Sequence, residues 1–183
     1  MRNAVMTHKG FKRLRAWLML VVLAMTLTLT APIAYADDFI NGWRAYSEGN
    51  YTKALSKWLP LAKQGDADAQ FNLAMMYYHG EGVERDWKEA ARLFRLAAEQ
   101  GDALAQYNLG VMYHNGEGVF QDLEKSYMWI ILAAVNGDGK APKARDLMKQ
   151  EMRLDFSLGD VAIKRTEKAA RQCYDSNYQD CGR

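Results

Sequence analysis

Apolar residues in the middle of this chain recur every three or four positions, the spacing that puts side chains on one face of a helix. Ala69, Leu73, Met76 and Tyr77 make one such face, and Ala90, Phe94, Ala97 and Ala98 make a second. Between them lies HGEGVERD (79–86), rich in glycine and charge. The pattern predicts two helices joined by a turn. The small alanines on each face let neighbouring helices approach closely.

The same pattern then starts again. Residues 67–102 and 103–138 align without a gap at a spacing of 36, with Gln70 matching Gln106, Leu73 matching Leu109 and Asp86 matching Asp122. NYTKALSKWLPLAKQGD (50–66) matches the second half of the unit, so a shortened copy precedes the two complete ones. No single hairpin can bury both of its faces. Stacking the hairpins supplies the missing core, which makes the expected fold an all-α solenoid of antiparallel helix hairpins.

The turn, HGEGVERD and its copy NGEGVFQD, invites a phosphate-loop reading that its chemistry does not support. A phosphate cradle sits between a strand and a helix and is completed by a lysine or hydroxyl. Here the glycines follow a helix, and neither HGEGVERD nor NGEGVFQD contains a lysine, serine or threonine. Gly80 and Gly116 suit the left-handed position that ends a helix. Gly82 and Gly118 reverse the chain, and Asp86 and Asp122 stand where they can cap the next helix. Glu89 is placed to complete a capping box with Asp86. Glu81 and Glu117 are copies of one turn position and are expected to be solvated, which argues against a catalytic carboxylate pair.

The pattern AQxNLGxMYxxGxGVxxDxxxAxxxxxxAAxxGD resembles the Sel1-like repeat, a relative of the tetratricopeptide repeat. The resemblance covers 67–138 in two strong copies. The leading unit, AYSEGNYTKALSKWLPLAKQGD (45–66), is closer to the tetratricopeptide form. The stretches ARDLMKQEM and CYDSNYQDC are similar to the tail of small exported bacterial Sel1-like proteins, although RLDFSLGDVAIK (153–164) is longer than that tail's middle. The resemblance implies a curved stack that binds another macromolecule, commonly an adaptor or regulator at the cell envelope and not an enzyme.

Residues 1–36 stand apart from this pattern. Arg2, Lys9, Lys12, Arg13 and Arg15 precede a largely apolar stretch, Ala16 to Thr30, which ends in Pro32 and Ala34-Tyr35-Ala36. This is the layout of a secretory signal peptide cleaved after Ala36, and its apolar run is shorter than the ~20 residues of a spanning helix. The whole chain has 24 Lys+Arg and 22 Asp+Glu; the leader holds five of the basic residues and none of the acidic ones. Residues 37–183 therefore carry 19 against 22, a net of −3, and no basic stripe remains to suggest nucleic acid. The expected location is periplasmic or secreted. Cys173 and Cys181 are the only cysteines, and in an exported chain such a close pair reads as a disulfide.

The chain thus divides into a signal peptide (1–36), a tetratricopeptide-like half repeat (37–66), two Sel1-like repeats (67–102 and 103–138) and a helical C-terminal cap (139–183). In the cap, Pro142 suits the first turn of a helix running to about Met152. A second helix beginning near Ser157 is expected to turn Val161, Ile163 and Ala169 or Ala170 toward the last repeat, with Lys164, Arg165, Glu167, Lys168 and Arg171 on its polar side.

Candidate chemistry is sparse. His79 and His114 occupy non-equivalent repeat positions without further ligands, so no metal or cofactor is expected. No G-x-S-x-G occurs, and pairing the two cysteines removes the obvious nucleophiles. The residues that the repeat core leaves over are Phe71, Tyr78, Tyr107 and His114, bordered by Met75 and Val111. They form a candidate stripe for a protein partner, an unidentified envelope protein, with self-association as a further role. Packing against the neighbouring unit is the alternative for each of them. Trp58 is expected in the core and Trp87 at the surface. Aromatic stripes also stack on sugars, so peptidoglycan or another envelope polysaccharide is the second reading. A hydrolase is the third, although hydrolytic relatives carry a cysteine pair in each repeat and this chain does not.

Overall fold

The computed structural model describes residues 37–155 and 157–181. The signal-peptide reading falls on residues outside that range. The described residues contain only helices and turns. After α1 (37–47) come α2 (Tyr51–Lys63), α3 (Ala67–His79), α4 (Trp87–Ala98), α5 (Ala103–Asn115) and α6 (Leu123–Val135). The cap adds α7 (Ala141–Leu154) and α8 (Gly159–Asp175). Along α2 to α7 each helix packs on the next in sequence, and α8 packs on both α6 and α7. This is the neighbour-to-neighbour layout of an α-solenoid.

Caps set the helix boundaries. The side chains of Asp66, Asp86, Asp102 and Asp122 accept bonds from backbone N–H groups in the first turns of α3, α4, α5 and α6. Gly80 and Gly116, at φ 77° and 75°, close α3 and α5 in the left-handed region. The capping box at α4 is only half made. Asp86 binds the N–H groups of Lys88 and Glu89, but the Glu89 carboxylate turns outward to Arg92. The Asp86 N–H is already taken by the Tyr77 carbonyl at 3.0 Å, so no donor is left for Glu89 to satisfy.

Close approach within each hairpin is set by one small position. A Cβ on Gly42 would collide with the Trp58 ring, and one on Gly110 would stand 2.8 Å from Ile130. The intervening unit places Ala74 there, fully buried. Trp58 and Phe94 are buried core residues, while Trp87 lies at the surface.

The two ends of the stack are finished differently. In α3 and α5 the faces that meet the preceding unit carry Ala69 with Met76 and Ala105 with Met112, all essentially inaccessible. The corresponding positions of α1 are Asp37 and Arg44, both exposed. Charge thus replaces the apolar contact surface on the first described helix. At the other end, α8 buries Ala162, Ile163, Thr166, Ala170 and Cys173. Val161 does not join them. It is 78% exposed, because Ala162 and Ile163 take up the inward arc. Nor are all the charged residues of α8 free in solvent. Arg165 pairs with Glu124 of α6, and Glu167 binds Lys149 of α7 at 2.6 Å.

Cys173 and Cys181 are joined, with their Cα atoms 4.7 Å apart. The loop they close folds back over the repeats. The Tyr178 hydroxyl exchanges bonds of 2.7 and 2.9 Å with the Asn136 side chain, and its ring lies against Gly101. Closing so short a loop stabilises the fold by roughly 2–3 kcal/mol in the chain-entropy account.

Between units, the second glycine of each turn sits on the start of a helix in the preceding hairpin. A Cβ on Gly82 would lie 2.5 Å from the Tyr51 Cβ, and one on Gly118 would overlap the Trp87 carbonyl. Gly118→Ala therefore combines a left-handed φ of 68° with a backbone collision. Gly137→Ala has a φ of 95° but nothing within 4 Å. Urea unfolding is expected to show a loss of about 1–2 kcal/mol for Gly137→Ala and at least about 2 kcal/mol more for Gly118→Ala. Equal losses would show that the inter-unit contact carries no weight.

Candidate functional site

The candidate face is built from α1, α3, α5 and α7, the first helix of each hairpin. Superposing the units gives three columns: 39, 71 and 107; 43, 75 and 111; 46, 78 and 114. The first column is aromatic throughout, the second apolar, and the third holds Tyr46, Tyr78 and His114.

The first column belongs to the hairpin interior. Phe39 packs on Trp58 with ring centroids 6.2 Å apart, and Phe71 packs on Phe94 at 5.7 Å. Tyr107 lies against the cluster that contains Ile130. Helical-wheel reasoning turns Phe71 and Tyr107 away from their own hairpin's core, but the structure lays them against its wall. Their rings reach the second helix because position 42, 74 or 110 is glycine or alanine.

The third column ties one unit to the next. The Tyr46 hydroxyl donates to Glu81 at 2.6 Å, and the Tyr78 hydroxyl donates to Glu117 at 2.9 Å. His114 Nε2 lies 3.0 Å from Glu151 of α7. Glu81 and Glu117, expected to be solvated, are thus acceptors for the preceding hairpin. Burial, then the carboxylate bond, pushes the Tyr46 phenol up to about 12 and shifts Tyr78 in the same direction. Both phenols stay protonated as donors at neutral pH.

A second ladder runs along the opposite ends of the helices. Gln70 and Gln106 are buried, and their amides donate to the carbonyls of Ala62 and Ala98 at 3.1 and 3.0 Å. Gln100 and Asn136 then donate to Gln70 and Gln106 at 2.8 Å. The recurrence of Gln at 70 and 106 was visible in the sequence. Its partners were not, since they lie in the preceding helix and at the far end of the same unit.

The exposed large apolar side chains of these rows lie at the two ends of the second one. Met75 and Val111 are half-buried, whereas Trp43 at one end is 55% exposed. Leu147 of α7, 58% exposed, continues the row. Val111, His114, Ile130, Leu147, Met148 and Glu151 line an apolar hollow of about 310 Å³ between α5, α6 and α7. Of the six residues singled out in the sequence, Phe71 and Tyr107 serve as hairpin walls and Tyr78 and His114 as ties. Met75 and Val111 stay on the open row. Trp43 and Leu147 lie in the shortened first unit and in the cap, outside the two complete repeats that supplied the six residues.

No group of His, Cys, Asp and Glu residues among the described residues is arranged to hold a metal ion. Among the described residues, no buried side-chain nitrogen or oxygen is left without a partner. The architecture defines a helical-repeat protein with two large apolar side chains, Trp43 and Leu147, exposed on the first helices of its hairpins. The Sel1 repeat family matches residues 67–102 and 103–138. A Sel1 repeat protein from Oxalobacter formigenes superposes with a TM-score of 0.58 at 31% identity, covering 67% of this chain and 96% of that one. The chain therefore belongs to the Sel1 repeat proteins. A protective antigen of uropathogenic Escherichia coli strains, itself displaying an SLR fold, superposes with a TM-score of 0.70 at 28% identity over 79% of this chain and 30% of the antigen. The ERAD-associated E3 ubiquitin-protein ligase component HRD3 of Candida glabrata is 47% identical over 45 residues, 25% of this chain and 5% of that protein. The chain thus spans only a small part of these two longer relatives. Sel1 repeats generally mediate protein–protein interaction, and the family is typically a non-enzymatic scaffold.

The tie between His114 and Glu151 carries a pH dependence. The Asn115 side chain, then Glu151, raises the imidazole above its ordinary value, against an opposing effect of burial. A raised folded value means that the stabilisation is fully present below the unfolded value of about 6.5 and is lost as pH rises through the folded one. Both side chains are more than a third exposed, so solvent screening limits the effect to at most about 1 kcal/mol. The drop in melting temperature from pH 6 to pH 8 is expected to be smaller in His114→Ala than in the parent chain. An unchanged drop would place the titration elsewhere.

Proposed function

We propose that this chain is an exported envelope protein that holds a segment of a protein partner along the row Trp43, Met75, Val111 and Leu147. The observation that carries this reading is what remains after packing is accounted for. The aromatic column is used inside the hairpins, and the tyrosine and histidine column ties the units together. Among these columns and their continuation into α7, the large apolar side chains that are more than half exposed are Trp43 and Leu147, both in the middle one. Trp43 stands at one end of it, and the hollow beside Leu147 lies at the other. Recognition surfaces concentrate their binding energy in a few such aromatic and aliphatic anchors beside a pocket. Export is supported by the basic leader, the apolar stretch and Ala34-Tyr35-Ala36, together with a paired Cys173 and Cys181.

Two experiments test the reading. A photo-crosslinking residue at position 147 is expected to capture a discrete protein in cells. Trp43→Ala combined with Leu147→Ala is expected to reduce capture at least about tenfold with the far-UV circular dichroism unchanged, since both side chains are more than half exposed. Undiminished capture by the folded double variant rejects this face, and sedimentation with peptidoglycan instead of protein capture would favour the polysaccharide reading. For export, the intact mass of the protein from the periplasmic fraction is expected to correspond to a chain beginning at Asp37. A mass that retains residues 1–36 refutes cleavage.

A further inference from the structure

The cap helices enclose a second recess, away from the row on the first helices. Three mutually packed helices, α6, α7 and α8, diverge to leave a cleft of about 410 Å³. Its apolar surface is offered by half-buried Ile131 and exposed Val135, with Leu132 and Ala170 almost wholly buried beneath them. Tyr174 is the exposed aromatic wall, and Tyr127 lies buried behind Glu167.

Charge is arranged unevenly around this recess. Glu167 is held by Lys149 at 2.6 Å and by the Tyr127 hydroxyl at 3.1 Å. Those bonds, the lysine's first, keep it below the usual carboxylate range and ionised. Asp146 is met by its neighbour Arg145 at 2.9 Å. Arg171 also lines the cleft, but among the described residues it has no carboxylate partner. The lining therefore carries three cations against two anions, with one guanidinium unoccupied above an apolar floor.

We propose that this cleft is a binding site for the C-terminus of a peptide that ends in an apolar residue. The terminal carboxylate takes the two parallel donors of the Arg171 guanidinium, the geometry for which arginine is suited. The last side chain lies on Ile131 and Val135, beside Tyr174. Glu167 and Asp146 favour a peptide over a simple fatty acid. A peptide brings backbone N–H donors for those carboxylates to accept, whereas an acid without donors meets only their repulsion.

The test is titration calorimetry on the purified chain with N-acetyl-Ala-Ala-Leu as the free acid, with its C-terminal amide, and with hexanoate. The free acid is expected to bind saturably, and the amide about tenfold or more weakly. Arg171→Gln is expected to cause a similar loss for the acid alone. Val135→Trp, which narrows the entrance from an exposed position, is expected to weaken both peptides. Trp43→Ala with Leu147→Ala is expected to leave this binding unchanged, so the site stands or falls separately from the row on the first helices. Absence of saturable binding by the acid, equal binding of acid and amide, or hexanoate binding as tightly as the peptide would overturn the proposal. Circular dichroism on each variant shows whether a loss reflects the cleft or the fold.

Discussion

The contact on which the stack depends is the one between the second glycine of each turn and the start of a helix in the preceding hairpin. At Gly118 the approach is backbone against backbone, with the Trp87 carbonyl where a side chain would begin. Gly82 makes the same approach to Tyr51. No other residue type permits that distance together with a left-handed φ. The approach brings each turn against its predecessor, and two polar ladders follow from it. The tyrosines at 46 and 78 reach the glutamates of the next turn, and the glutamines at 70 and 106 reach the last carbonyls of the previous helix.

These ladders explain why a fold with so much alanine in its core has one defined register. Alanine faces pack closely but discriminate poorly between sliding positions. A buried glutamine has to meet a particular carbonyl, and an unmet buried amide costs about 1–3 kcal/mol. The second ladder ends at Asn136, which is also held by Tyr178 from the disulfide-closed loop. The cap is therefore tied to the end of α6 and, through Gln106, to Ala98 at the end of α4. A single chain of hydrogen bonds joins the tail to both complete repeats.

Function is confined by the same arrangement. Side chains that look available in a single helix are used in the stack, Phe71 and Tyr107 in the hairpin walls and Tyr78 and His114 in the ties between units. The open row is what is left. It is short, with one large side chain per unit, and its two most exposed members belong to the atypical first and last units. The cap contributes a recess of its own, between helices that the repeat pattern does not describe.

The repeat, its period, the helical pairing within it, the turn and the helix-capping aspartates were legible in the residues alone. Each depends on local chemistry: apolar spacing, glycine's left-handed freedom, and carboxylates facing unpaired N–H groups. Asp86 still caps α4 although its partnership with Glu89 fails, because Tyr77 takes the donor first. Neighbours brought together by stacking decided the rest. Phe71 and Tyr107 line a hairpin because position 74 or 110 is small, and Glu81 and Glu117 are bound because a tyrosine from the preceding unit reaches them. Val161 faces solvent because Ala162 and Ile163 occupy the inward side of α8. A one-dimensional pattern states which face of a helix is apolar, but only the packed stack decides which neighbour covers it and which side chains it leaves open.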